Sequence, residues 1–472
     1  MVLTAPTGTN LRAYYVGSPG NVGNCDNSST TNWLGVTPYN RRETIYWIIK
    51  MLALPFIATL IFFLVFQAGL GFIDNPIIRN VSYVLVFIAN IFLTSYAREL
   101  ARARVYRIRE INGLIDENEA NNLIDNAAPQ FTVHLNTLTQ VNFQIGFVGD
   151  IMMMRGYDLI FNPEVVNFFT GVNIIIGNLE GIVRTAGHTL FTQAHDPVIL
   201  NQLQGLLTRN TEWLLCVSNN HSIDFGNLEF HNSLNLIHPT LNSYVFGRHD
   251  VPNVITHNNR INIATATQWS NQGNWNCISQ YEDVNVSNGF TALCLGNHFN
   301  IHFPHWSFEN ERYVRPTIQS HARTLLDGHD QIVPPGGNAN RWDLIFGHHP
   351  HVRQPIMMVD DVSPGGAQFR KLVVFSGGNF TSGVRFFRAR KHLYGTIMRC
   401  QIGPLAADPM QLAIGDVQWQ RTYNERRKIL NVKTKEVIID TGRYRRSNIT
   451  SLGIALFIIF SIILVRFLEL YF

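Results

Sequence analysis

The chain of 472 residues reads as an α/β domain carried between membrane segments, and three observations predict this. Over residues 140–420, short apolar runs alternate with polar, glycine-containing loops and longer mixed segments, the rhythm of strands and helices in turn. Three longer apolar stretches lie outside that region, at about 51–73, 81–97 and 449–465. Charged residues make up only 15% of the chain against 46% hydrophobic, below the roughly 25% charge of a soluble domain, which argues against disorder and for a membrane.

Taken in order, residues 1–43 are rich in Asn, Gly, Ser and Thr and lack helical or strand periodicity, as suits a segment that is disordered or laid on a partner. Residues 44–97 predict a transmembrane hairpin. Its two arms approach the ~20 apolar residues that cross ~30 Å of hydrocarbon, it turns at Asp74, Asn75 and Pro76, and Trp47, Tyr83 and Tyr96 sit where interfacial aromatics belong. Arg98, Arg102, Arg104, Arg107 and Arg109 open a basic helical linker over 98–139, which leads into the α/β domain at 140–420. A basic juxtamembrane segment at 421–448, with Arg443, Arg445 and Arg446, precedes a C-terminal transmembrane helix at 449–472. Lys and Arg gather on the domain's side of these segments while the hairpin turn carries only Arg79, so the positive-inside rule places the domain on the cytoplasmic or organelle-inner side. No short apolar region with a cleavage site starts the chain, and the N-terminal segment is expected to stay in the mature protein.

The 37 Lys+Arg against 33 Asp+Glu leave a dispersed +4, too little for the dense basic face that nucleic acid needs. The expected partners are membrane lipids and, through the N-terminal extension and the transmembrane helices, other membrane subunits. Five cysteines, an odd number without a CxxC pair, suggest neither a disulfide framework nor a zinc knuckle.

Strands are predicted at 143–148, 172–176, 214–217, 261–266, 291–295, 344–346 and 372–375. Metal-competent side chains follow five of them within a few residues: Asp150; Asn178 and Glu180; Asn219, Asn220 and His221; His302 and His305; and His348, His349 and His351. Ligands bind at the carboxyl ends of strands in α/β sheets, so these groups converge on one rim. Singly, Asp150 reads as a helix cap, Asn219 as a turn and His302 as an exposed strand residue; jointly they read as a site. A mixed nitrogen and oxygen set suits one or two divalent transition ions, Mn, Fe or Zn, better than calcium or a thiolate-rich zinc site.

The series Phe147-Val-Gly-Asp-Ile-Met152, Gly177-Asn-Leu-Glu180, Ser218-Asn-Asn-His-Ser-Ile-Asp-Phe-Gly226, His305-Trp-Ser-Phe-Glu309, Asp343-Leu-Ile-Phe-Gly-His-His-Pro-His-Val-Arg-Gln-Pro355 and Phe375-Ser-Gly-Gly-Asn-Phe380 resembles the CapA family, poly-γ-glutamate capsule biosynthesis proteins related to the calcineurin-like metallophosphoesterases. The resemblance spans roughly residues 143–400. It implies a four-layer α/β/β/α sandwich with a metal centre at one edge of the two sheets. It also implies roles: Asp150 and Glu180 as metal carboxylates, Asn220, His305 and His349 on the second metal, and His351 on the first. His221 becomes the proton donor to a leaving oxygen, held by Asp224, and Arg353 and Asn379 line the rim where an anionic group docks. The function implied is metal-dependent hydrolysis of a phosphate-bearing or polyanionic substrate near the bilayer, or a part in capsule biosynthesis. One departure stands out, because Gly149-Asp-Ile-Met152 places Met where the superfamily's Gly-Asp-x-His motif places a ligand. That departure and the long polar extension motivate the alternative, a catalytically inactive structural subunit of a membrane complex.

Overall fold

The computed structural model describes residues 130–440 except 186–191, 242, 257–259, 273–275, 281–293, 295–297, 310–313, 315, 328–340, 384–391 and 430–431, together with the short strands Leu11–Arg12 and Leu123–Ile124. Contacts divide the chain into two units, residues 1–37 with 118–442 and residues 38–117 with 443–472. The second unit, and with it all three apolar stretches expected to cross a membrane, lies outside the described residues. Among the described residues no helix is long and apolar enough to cross a membrane.

The first unit is mixed α/β and rich in strands. In its ten-stranded sheet, Ser243–Phe246, Glu212–Cys216, Ile174–Leu179 and Phe143–Ile151 run parallel as neighbours. The sheet continues through Tyr394–Leu405, Asp408–Ile429 and Val432–Ile439, each antiparallel to the one before. In the eight-stranded sheet, Ile261–Ala264, Phe299–His302, Leu344–Phe346 and Gln368–Val374 form the parallel centre. The chemistry of these strands explains their place, since near-continuous Ile, Leu, Val and Phe runs suit parallel strands buried on both faces.

Side chains alternate across each strand. Ile145, Phe147, Ile174, Ile176 and Leu214 of one sheet meet Ile263, Ile301, Leu344 and Phe346 of the other in a shared core, where Phe147 stacks on Phe346 at 5.0 Å. Val148, Ile175, Trp213 and Leu215 face the opposite way and pack with Val165, Leu200, Leu203, Phe230 and Leu234 of the helices Pro163–Phe168, Val198–Gln204 and Asn227–Thr240. Ile345, Met357 and Val373 likewise pack with Ile318, Ala322 and Leu326 of the helix Pro316–Asp327. The first helix starts where Asn162 accepts the Glu164 N–H and Pro163 occupies the first turn, the expected capping chemistry.

The predicted strands at 143–148, 172–176, 214–217, 261–266, 344–346 and 372–375 overlap observed ones, whereas 291–295 falls outside the described residues except for Cys294. The antiparallel wing was not foreseen. Its 22-residue strand Asp408–Ile429 runs past residue 420, pairing with Tyr394–Leu405 along one edge and with Gln130–His134 and Val432–Ile439 along the other, and this curls the sheet. Cys216, Cys294 and Cys400 are buried free thiols. Cys277 is disulfide-bonded, which the cysteine spacing did not suggest.

Candidate metal centre

The site forms where strands of both sheets end. Asp150 lies near the C-terminal end of the central strand Phe143–Ile151, flanked in register by Asn178 on one neighbour and Asn379 on the other, past a register shift between Phe147 and Asp150. Its Oδ1 accepts from Asn178 Nδ2 at 2.8 Å, and both its oxygens accept weakly from the His349 N–H, at 3.4 and 3.3 Å. The same Asn178 amide donates to Glu180 Oε2 at 3.2 Å. Asn219 donates to Asn178 Oδ1 and accepts the N–H groups of Gly181 and His221, so it braces the strand ends and is not a ligand.

From the other sheet come the histidines. His305 follows the strand Phe299–His302, and the block His348 to His351 follows Leu344–Phe346, with His349 and His351 at φ of 99° and 58°. Positive φ outside glycine costs about 1–3 kcal/mol and persists where surroundings enforce it, as at functional sites. Three groups of ligand atoms each lie within 4.8 Å: Asp150, Glu180 and His351; Asp150, His305 and His348; and Glu309, His349 and His351. Shared members join them into one centre.

Electrostatics of the centre point to a cation. Asp150, Glu180, His305 and His348 are fully buried. Burial opposes ionisation of Asp150, but hydrogen bonds and charge from His348 and His351 outweigh it and hold its carboxyl well below the ordinary range. Burial raises Glu180 well above it. Glu180 Oε1 lies 3.3 Å from His351 Nε2 yet has no hydrogen bond, and neither does the buried His349 Nδ1. Burial pulls His351 down, yet the charges of Glu180 and Asp150 prevail and push it up to about 10. His305 Nε2 meets Asn220 Oδ1 at 3.1 Å and His348 Nε2 meets the Phe303 carbonyl at 3.2 Å. Burial pushes both rings down, and their Nδ1 atoms lie 2.8 Å apart, with His348 Nδ1 3.6 Å from Asp150 Oδ1.

Two further groups complete the rim. His221 Nδ1 pairs with Asp224 Oδ2, and Asn271 Nδ2 lies 3.1 and 3.4 Å from the two ring nitrogens. Asn379 Oδ1 contacts His351 Nδ1 at 3.1 Å while its amide donates to the His392 carbonyl, so it orients His351; Arg353 forms a backbone bridge with Gly377 beside it.

Residues 256–384 match the family model for the bacterial capsule synthesis protein PGA_cap. This stretch is CapA-like. The CapA-like segment holds His305, Glu309, the His348–His351 block and Asn379, and the family implies a metallophosphoesterase-like fold and a divalent metal, for which the clusters above are candidates. No curated protein matches the chain.

Of the residues singled out in the sequence, Asp150, Glu180, Asn220, His305, His349 and His351 converge, and His221 with Asp224 stands at their edge. His348, named in the sequence among the metal-competent side chains but given no role, and Glu309, four residues after His305 and given none, also fall in the candidate ligand groups; spacing alone did not tell that all three imidazoles of the Gly-His-His-Pro-His block turn inward. His302 goes elsewhere: strand alternation turns it to the helix-covered face against Trp342, at 4.8 Å between ring centroids, and burial pushes it down to about 3.

Proposed function

We propose that the protein is a membrane-anchored, CapA-like, metal-dependent hydrolase acting on a phosphate-bearing or polyanionic substrate next to the bilayer. The observation that carries this reading is Glu180 Oε1, buried without a hydrogen bond between Asp150 and His351. A buried carboxylate oxygen whose one contact is an imidazole at 3.3 Å, with no hydrogen bond, is costly unless a cation completes it. Asp150, Glu180 and His351 would hold one ion, and His305 with His348, or Glu309 with His349, a second. The nitrogen and oxygen donor set favours Mn, Fe or Zn. When bound, such an ion supplies Lewis-acid polarisation and charge neutralisation at phosphoryl oxygens.

The chain's own residues supply the rest. Asp224 fixes the proton of His221 on Nδ1 and leaves Nε2 to exchange a proton with a leaving oxygen, the usual division of work in a His-carboxylate pair. Arg353 adds a guanidinium at the rim for an anionic group. The three apolar stretches with their basic flanks support anchoring with the domain on the inner side. The disulfide at Cys277 favours an oxidising compartment instead, and protease protection in sealed vesicles decides between the two.

The test is elemental analysis of the detergent-purified full chain beside a His349→Ala, His351→Ala double variant, followed by hydrolysis of bis(p-nitrophenyl) phosphate. One or two equivalents of Mn, Fe or Zn lost in the variant, with turnover in the parent, support the reading; a metal-free, folded parent overturns it. Met152 favours a second reading, the inactive structural subunit, and bound metal without turnover on any phosphodiester selects it.

A further inference from the structure

The segment 267–269 grips one residue of the loop that carries two of the candidate ligands. Ser307 lies between His305 and Glu309, is 1% exposed, and adopts φ of 72°, a conformation that serine rarely holds unaided. Both of its backbone polar groups are taken by side chains from outside the loop. Its N–H donates to Gln268 Oε1 at 3.1 Å, and its carbonyl accepts from Trp269 Nε1 at 2.6 Å. The gripping segment is itself fixed. Thr267 Oγ1 donates to the Trp269 carbonyl and accepts its N–H, and the Gln268 N–H donates to the His305 carbonyl at 2.9 Å. Trp269 also stacks on His349 at 5.8 Å and meets Phe308 edge-on at 5.2 Å, so the grip is registered against the metal centre.

We propose that Gln268 and Trp269 are positioning residues that hold Ser307 in its left-handed turn, and thereby aim His305 and Glu309 at different parts of one metal centre. The proposal rests on the metal-binding reading above. His305 belongs to the group with Asp150 and His348, whereas Glu309 belongs to the group with His349 and His351. A turn of ordinary handedness at Ser307 would redirect the chain between them, and the two side chains could not both keep their places. Gln268 has no other evident task, being fully buried with its Nε2 unpartnered and its oxygen committed to Ser307.

Glycine adopts positive φ without penalty, so it should make the clamp dispensable. The experiment is Mn²⁺ titration by calorimetry on the detergent-purified full chain and on Gln268→Leu, Ser307→Gly and the Gln268→Leu, Ser307→Gly double variant, with thermal unfolding in EDTA alongside. Gln268→Leu should weaken Mn²⁺ binding about ten- to a hundredfold, the usual effect of losing a group that orients a ligand. Ser307→Gly alone should bind like the parent, and the double variant should regain most of the loss. Unfolding in EDTA separates a general loss of stability, which glycine would not repair. A parent that takes no Mn²⁺ overturns the metal-binding reading and the clamp with it. A binding parent with an unaffected Gln268→Leu variant, or a loss that Ser307→Gly does not restore, overturns the clamp alone.

Discussion

His221 Nδ1 lies 2.6 Å from Asp224 Oδ2, and that buried oxygen also accepts the Gln193 N–H at 2.9 Å. The second bond fixes the carboxylate, and the carboxylate fixes the ring. His221→Ala should therefore lower kcat on bis(p-nitrophenyl) phosphate by about 10² to 10⁴, the usual worth of a positioned acid or base, with metal content unchanged. Asp224→Asn should lower kcat less and alter its pH profile. Equal metal content with undiminished turnover in His221→Ala would remove His221 from the chemistry.

Glu180 offers a test of both function and stability. Its carboxyl is raised by burial and keeps one oxygen without a hydrogen bond. Without metal, Glu180 Oε1 faces the His351 ring at 3.3 Å, and Glu180 and Asp150 together push that ring up to about 10, so a neutral isostere breaks a buried pair. Glu180→Gln should lower the melting temperature measured in EDTA and reduce bound metal, and the parent should gain more than the variant on adding Mn²⁺. Undiminished metal binding in Glu180→Gln would remove the carboxylate from the centre.

Much of this was legible in the sequence, and for a physical reason. Parallel strands buried on both faces are short apolar runs, and site residues follow their ends, so Asp150, Glu180 and Asn220 could be placed by strand position alone. The wing from Tyr394 to Ile439 was not legible, because Asp408–Ile429 is a long strand with charged and polar residues facing outward, such as Glu425 and Arg427, and lacks a compact apolar run. His302 was misleading for the opposite reason. It follows a clear strand pattern, but the two-residue alternation that sends Ile301 to the inter-sheet core sends His302 to the other face.

That face provides a pH dependence. Burial lowers His302 to about 3 and His321 to about 4, from an ordinary value of 6.5. The folded state favours the neutral rings, so their contribution is present above pH 6.5 and is lost as pH falls toward 4 and 3. Each ring makes stability fall by at most ~1.4 kcal/mol per pH unit across that window. His302→Phe should unfold at lower pH than the parent in acid titrations followed by tryptophan fluorescence, with Trp342 as the neighbouring reporter. An acid midpoint that does not move would assign the acid sensitivity to other groups.

Gly347 precedes the histidine block and shows how tightly the centre is held. A Cβ built there would lie 2.1 Å from Trp306 Nε1 and 2.3 Å from the Phe375 carbonyl, two groups that are hydrogen-bonded to each other at 2.9 Å. Neither can yield, since Trp306 is fully buried between the sheet and the helix Pro316–Asp327, and the Phe375 carbonyl is main chain. Gly347→Ala must shift the backbone that leads into His348, with an overpacking cost of about 1–3 kcal/mol or more. The expected result is a lower melting temperature together with weaker Mn²⁺ binding. Gly366→Ala is the control, because that glycine has a left-handed φ of 83° and open space around it, so it should lose stability without changing Mn²⁺ affinity. If Gly347→Ala lost stability but bound Mn²⁺ as the parent does, the position of His348 would be independent of the strand end that precedes it.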